Sequence, residues 1–230
     1  MDKYGERVLG RELAMGSRAT DLLMGAAVAA PFVLNDFLFV RAEGVTAWLT
    51  VDYGSRFLAL AVIFFYPPFR AAATEALRFN KYPSHPWGSY FGNFAFGIGL
   101  VVVLSMAAEY AVRQPLKELI PGTELFTYPD LDLGAVYWLD VTFGLALVAL
   151  SEELAFRTVA KRVIGAFSEN QVWLVVVSSV VFGIIHWSNG VPNIIDSAVV
   201  GAVLMVFYLR SGSILGPVAA HYLIDLWYFA

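Results

Sequence analysis

The chain has 230 residues, of which 59% are hydrophobic and 15% charged, with a mean hydropathy of +0.66. A soluble domain is about half apolar and about a quarter charged; here the excess lies in long blocks rather than helical stripes, which marks an integral membrane protein. A net charge of −4 is too small to imply a nucleic-acid partner, and the absence of cysteine removes disulfides, thiolate metal sites and cysteine nucleophiles.

Residues 1–20 carry Lys3, Arg7, Arg11 and Arg18, with Tyr4, Val8, Leu9 and Leu13 between them, a pattern that suits a short helix lying on the membrane surface. Basic residues ahead of an apolar run containing Ala27-Val28-Ala29 imitate a signal peptide. The apolar stretch before that triplet is too short for one, and hydrophobicity continues after it, so the run reads as a retained first span. The apolar blocks predict an all-α architecture, a polytopic transmembrane helix bundle of about seven spans (six to eight), each about 20 residues long. They fall near 21–40, 47–66, 89–112, 135–163, 170–187, 194–210 and 213–230. The second holds Asp52 and Arg56 at i,i+4, where they can pair on one face, and Pro67-Pro68 ends it. In residues 69–86, Phe69, Ala72, Ala73 and Leu77 form a face that can lie on the membrane interface. Residues 113–134, with Glu118, Glu124, Asp130 and Asp132 among three prolines, read as an acidic loop. Without repeats or a soluble segment, residues 1–230 read as a single membrane domain.

Lys and Arg placement sets the expected orientation. With the N-terminus inside, the inner segments hold eleven basic residues: four in 1–20, then Arg70, Arg78, Lys81, Arg157, Lys161, Arg162 and Arg210. The outer segments hold Arg41, Arg113 and Lys117. A cytoplasmic N-terminus and, for an odd span count, an outside C-terminus follow, in a prokaryotic plasma membrane.

The polar residues inside the spans carry the chemistry. A carboxylate in lipid or a dry bundle costs several kcal/mol unless paired or protonated, yet Glu152, Glu153 and Arg157 follow the apolar run 141–150. Glu153 and Arg157 are i,i+4 with the acid first, the better order for a helical ion pair. Glu152 points about 100° away and is left without a partner in its own helix. In the fifth span Phe182 and His186 share a face, with Ser178 one turn earlier, while Ser179 and Gly183 make a small-residue edge for close packing. In the seventh span His221 and Asp225 project from one face, with Gly212, Gly216 and Ala220 along the adjacent edge. Each feature alone has a bland reading: a wet helix end, an interfacial histidine, a structural His–Asp bond. Counted at about 1.5 Å per residue from the cytoplasmic end, Glu152 lies about 16 Å deep, His186 about 24 Å, His221 about 12 Å and Asp225 about 18 Å. Tilts of about 20° absorb much of that scatter, so four groups from three helices can share one layer.

A carboxylate, two imidazoles and a second carboxylate in a cavity suit hydrolysis by an activated water. Glu152 would take a proton from water, and His186, His221 and Asp225 would orient it and stabilise the oxyanion. Alternatively Glu152, His186 and His221 hold a divalent metal such as zinc, which lowers the pKa of bound water. Other intramembrane peptidase designs do not fit. There is no HExxH, no Gly-Xaa-Ser-Gly nucleophile, and neither Asp52 nor Asp140 lies in a paired-aspartate motif.

At these residues the chain resembles the CPBP family of intramembrane endopeptidases, also called the CAAX-protease and bacteriocin-processing or Abi family. The family motifs EExxxR, FxxxH and HxxxN/D read here as Glu152-Glu153-xxx-Arg157, Phe182-xxx-His186 and His221-xxx-Asp225, in order on successive spans. The run from Ser211 to Pro217 also looks like the family's approach to its third motif. The resemblance covers residues 145–228 and implies peptide hydrolysis within the membrane. It implies catalytic roles for Glu152, His186, His221 and Asp225, with Glu153, Arg157 and Phe182 supporting them. Position 225 is Asp where the prenyl-protease branch has Asn, and Thr158 replaces a frequent Gly. A peptide precursor, a signal remnant or a membrane-protein tail therefore fits as substrate at least as well as a prenylated one. The competing reading is a non-catalytic membrane protein. It would be a transporter relaying protons through Asp36, the Asp52–Arg56 pair and the His–Glu layer, or a scaffold for a partner helix. A Glu152 carboxylate far from both imidazoles, with no shared cavity, would favour it.

Overall fold

The computed structural model describes residues 3–78, 87–125, 128, 129, 131 and 133–229; His85, Lys81, Asp130 and Asp132 lie outside them. Eight helices carry the described residues: α1 Lys3–Phe39, α2 Val45–Phe65, α3 Pro67–Ala76, α4 87–119, α5 135–165, α6 Gln171–Ile184, α7 Val191–Ser211 and α8 Leu215–Phe229. There is no strand among the described residues. The segments Ser17–Phe39, Val45–Phe65, Asn93–Leu119 and Val191–Ser211 are long and apolar enough to cross a membrane. Only 17% to 33% of each one's most apolar window is buried, so their outer faces, with Leu23, Phe65, Phe96 and Val103 exposed, suit lipid rather than water. The sequence predicted three more spans. These correspond to α5, whose charged site residues lower its hydropathy, and to α6 and α8, which at 14 and 15 residues fall short of the usual length.

Two local expectations change. The basic N-terminal segment is not a separate surface helix, because the helical backbone runs unbroken from Lys3 to Phe39 past Pro31. The segment after Pro67-Pro68 turns inward rather than lying on the interface. The prolines occupy the first turn of α3, where a missing N–H costs nothing, and Phe69, Ala73 and Ala76 are buried in the main core. Ile214 N and Ser213 Oγ both donate to Ala76 O, at 2.9 and 3.3 Å, tying the α7–α8 turn to the end of α3. Nearby, Asp21 on α1 accepts from Tyr66 Oη at 2.7 Å and pairs with Arg162 Nη2 at 2.9 Å. This end of the bundle is therefore closed by polar clasps over an apolar floor.

α5 gives the fold its centre. Its first half, 145–153, packs on α2 and α8, and its second half, 154–165, packs on α1, α3 and α6. The chain thus passes from one wall to the floor at Glu152–Glu153, where Leu154–Val159 widen into a π turn, a device frequent at functional sites. α6 starts at Asn170, whose side chain caps Val172 N and Trp173 N at 2.9 and 3.2 Å. It ends at Ile184, short of His186, which leads into a 3₁₀ turn, Trp187–Asn189. Gly183 allows α7 to close on α6: a Cβ there would strike Ile194 O and come within 2.9 Å of Ala198 Cβ. Gly212, by contrast, ends α7 in the left-handed region at φ 68° and serves the turn rather than an edge.

Candidate active site

A cavity of about 720 Å³ opens at the end of the bundle opposite the α3 floor. Its wall takes in the C-terminal half of α1, the N-terminal half of α2, the first half of α5, the end of α6, the start of α7, the end of α8 and part of the 120–134 segment. Glu152, His186, His221 and Asp225 all line it, as do Asp36, Asp52, Arg56 and Asp140.

The pairing expected from helical spacing is present. Arg157 Nε and Nη2 donate to Glu153 Oε2 and Oε1 at 2.9 and 3.0 Å, and both side chains are completely buried. Such a fork-on-fork pair fixes geometry as well as charge. Glu153 also reaches further than its own helix: Oε1 accepts from His221 Nδ1 at 2.9 Å. A carboxylate cannot donate, so that nitrogen carries the proton and His221 presents Nε2 to the cavity. Nε2 lies 3.5 Å from Asp225 Oδ2 and 3.9 Å from Glu152 Oε2. Both of these buried oxygens lack a hydrogen-bond partner among the described residues.

Glu152 is not without a counter-charge, as its position on α5 alone suggested. Arg56 on α2 donates from Nη2 to Glu152 Oε1 at 3.5 Å, while its Nη1 holds Asp52 Oδ1 at 2.7 Å. One guanidinium thus bridges two carboxylates from different helices. Asp36, the other acid of the transporter reading, accepts from the Ser188 backbone N at 3.3 Å and helps fasten the α6–α7 turn to α1. The signal for Arg56 was available: counted from the cytoplasmic end of α2 it lies about 15 Å deep, beside Glu152 at about 16 Å. Asp140, held by Tyr53 Oη at 2.9 Å, and Asp196 gave no sequence signal of their own.

His186 stands where α6 unwinds. Its Nδ1 is 2.9 Å from Phe182 O, and since a carbonyl only accepts, Nδ1 is the protonated nitrogen and Nε2 is free. Phe182 is the hub of the three motifs. Arg157 Cζ lies 4.5 Å over its ring, and the imidazoles of His186 and His221 meet it edge-on at 5.1 and 6.0 Å between centroids. Room for the ring comes from Gly201, where a Cβ would approach Phe182 Cδ1 to 2.9 Å.

The metal alternative fits less well than the water one. Among the described residues no group of three or more His, Asp or Glu side chains is placed to hold a metal ion, and Glu152, His186 and His221 do not form such a set. A Glu152 carboxylate within 4 Å of one imidazole, in a cavity shared with the other, removes the geometry that would have favoured a non-catalytic protein.

No curated protein and no solved structure matches the chain. Residues 134–227 match the family model described as Type II CAAX prenyl endopeptidase Rce1-like, a peptide hydrolase family. The matched segment spans every motif residue from Glu152 to Asp225 and begins one residue before α5. Residues 134–227 are thus similar to the Rce1-like members of the CPBP, or CAAX-protease, family, in agreement with the three motifs they contain.

Proposed function

We propose that the protein is an intramembrane endopeptidase in which Glu152 activates water. The observation that carries this is the pair of unpartnered oxygens, Glu152 Oε2 and Asp225 Oδ2, on either side of His221 Nε2 at 3.9 and 3.5 Å. That spacing is too long for a strong direct hydrogen bond and suits an intervening oxygen atom. Water placed there gives its proton to Glu152 as its oxygen bonds to the scissile carbonyl carbon. With Nε2 protonated as well as Nδ1, His221 and His186 would each turn an N–H toward the tetrahedral oxyanion. The C–N bond then breaks as the proton held by Glu152 passes to the leaving nitrogen. Glu153 keeps His221 oriented, and Arg56 keeps Glu152 facing the cavity. No step needs a metal.

The Asp at 225 and the polar wall support a membrane-associated peptide or protein as substrate without requiring a prenyl group. The mouth lies on the end of the bundle that holds residues 40–44, the described residues 120–131 that line the cavity, and Phe229. Arg157 is wholly buried and drops out of the charge tally, leaving nine basic residues of the described segments at the closed end against three at the mouth. The closed end is thus cytoplasmic and the mouth faces away from the cytoplasm.

The test is comparative proteomics of membrane peptides from cells with wild type or Glu152→Gln, a change that keeps the side chain's shape. Loss of a defined set of cleavage products is expected, with the variant still accumulating in the membrane. His186→Ala and His221→Ala should lose the same set. Unchanged cleavage by Glu152→Gln refutes the mechanism.

A further inference from the structure

The charges on the α4–α7 side of the cavity do not balance. Arg113 on α4 pairs with Glu109 at 2.9 Å, and Tyr228 Oη gives Glu109 a second hydrogen bond at 2.8 Å. Lys117 is held by Glu124 at 2.8 Å. Both cations of this wall therefore have an acid of their own. Asp196 has no ion pair among the described residues, Arg113 acting on it only at longer range while bonded to Glu109; it is 5% exposed, lines the cavity, and its Oδ1 makes no hydrogen bond among the described residues. A buried carboxyl with an unmade bond carries its full desolvation cost. It is kept in a wall where Arg113 and Lys117 each hold an acid of their own. Asn193 and Ser197, one turn before it and next to it on α7, also line the cavity. They add a carbonyl and a hydroxyl to the cavity wall, Asn193 lying between the directions of Asp196 and Ser197 around the helix.

We propose that Asp196, with Asn193 and Ser197, forms a subsite for a cationic side chain, Lys or Arg, of the peptide substrate. A Lys ammonium offers three donors and no acceptor, matching three acceptor side chains that line the same cavity. It also neutralises the one acid of this wall without a counter-ion. The position relative to the chemistry follows from helix rise. Asp196 precedes Gly201, the residue under Phe182, by five positions, or about 7.5 Å toward the mouth. An extended peptide advances about 3.3–3.6 Å per residue, so the cationic side chain sits about two residues from the scissile bond. This subsite rests on the protease reading, since it assumes a peptide in the cavity.

Binding and cleavage separate the two. A fluorescent leucine–alanine peptide carrying one Lys, and its counterparts with norleucine or Glu at that position, are titrated into the Glu152→Gln protein in detergent. The Lys is moved one position at a time. Lys peptides should bind about tenfold tighter than norleucine ones at one register; Glu peptides should bind weakest. Adding Asp196→Asn should erase the Lys preference, and Asp196→Lys should shift it to Glu. Equal binding of all three peptides, or a Lys preference that survives Asp196→Asn, overturns the subsite. If the preference holds while wild-type protein leaves every bound peptide intact, the subsite stands and the protease reading falls.

Discussion

The buried pair of Glu153 and Arg157 allows stability and catalysis to be pulled apart. Both side chains are fully buried, joined by two bonds of 2.9 and 3.0 Å. Changing Arg157 to Leu leaves Glu153 with only its bond from His221 Nδ1, and breaking a buried ion pair on one side typically costs about 3–5 kcal/mol. The lost stacking on Phe182 at 4.5 Å adds about 0.5–2 kcal/mol. In a chain of this size 1 kcal/mol moves the melting temperature by about 2–4 °C, so the drop should be at least about 6–20 °C. Replacing both residues by Leu removes the charge with its partner, an exchange that buried ion pairs often tolerate. The double variant should then melt closer to wild type than the single one does. It should not regain activity, because His221 Nδ1 has lost the carboxylate that orients it. A histidine deprived of that partner loses about a hundredfold or more in rate. The assay is thermal unfolding in detergent beside cleavage of a fluorogenic transmembrane peptide. A single variant melting within about 2 °C of wild type, or a double variant cleaving at the wild-type rate, refutes the reasoning.

Arg56→Met should lower kcat by about 10²–10³-fold with a smaller change in KM, because it removes a preorganised charge beside the reacting water; steady-state kinetics would check it, and a change of KM alone would count against the bridge to Glu152. Asp225→Asn should keep cleavage within about tenfold, since an amide retains an acceptor facing His221 Nε2, whereas Asp225→Leu should lose most of it; the same peptide assay ranks them. Phe182→Ala should destabilise the protein by about 3–5 kcal/mol through the cavity left between Arg157 and the two imidazoles, read as a lowered melting temperature, with Phe182→Leu milder. The lack of native cysteine makes topology easy to read. Glu43→Cys should react with an impermeant maleimide added outside the cell and Glu169→Cys only after permeabilisation, and the reverse pattern would turn the mouth toward the cytoplasm.

What could be read from the sequence was what one helix settles alone. Glu153–Arg157 and Asp52–Arg56 follow from i,i+4 spacing, and both are present, at 2.9 and 2.7 Å. His221 and Asp225 likewise share a face, at 3.5 Å. Depth counting placed residues from three helices in one layer, and all four line the same cavity. Contacts between helices depend on rotation about each axis, which spacing does not give. Hence the bond from Glu153 to His221 and the approach of Arg56 to Glu152 were not foreseen, although the depth of Arg56 was countable. The burial of α3 escaped notice for a different reason. Phe69, Ala72, Ala73 and Leu77 look alike whether an apolar face meets lipid or protein, and only the bonds from residues 213 and 214 to Ala76 O decide between them.

The bundle also separates its charges by task. At the closed end, Asp21 binds both Tyr66 and Arg162, and the turn at Ser213 is bonded to α3; these bonds hold helices together. At mid-depth the pairing is incomplete by a fixed pattern. Glu153 is saturated by Arg157 and His221, and Arg56 bridges Asp52 and Glu152, but one oxygen each of Glu152 and Asp225 is left over. Nearer the mouth, among the described residues, the remaining buried carboxyl oxygen without a hydrogen bond belongs to Asp196. A scaffold has no use for unmet acceptors at these depths, since each costs free energy that a Leu would not. Water at the first two oxygens and a cation at the third would satisfy all of them together. That is the arrangement expected of a peptide bound across the cavity with its scissile bond at His221 and a basic side chain toward the mouth.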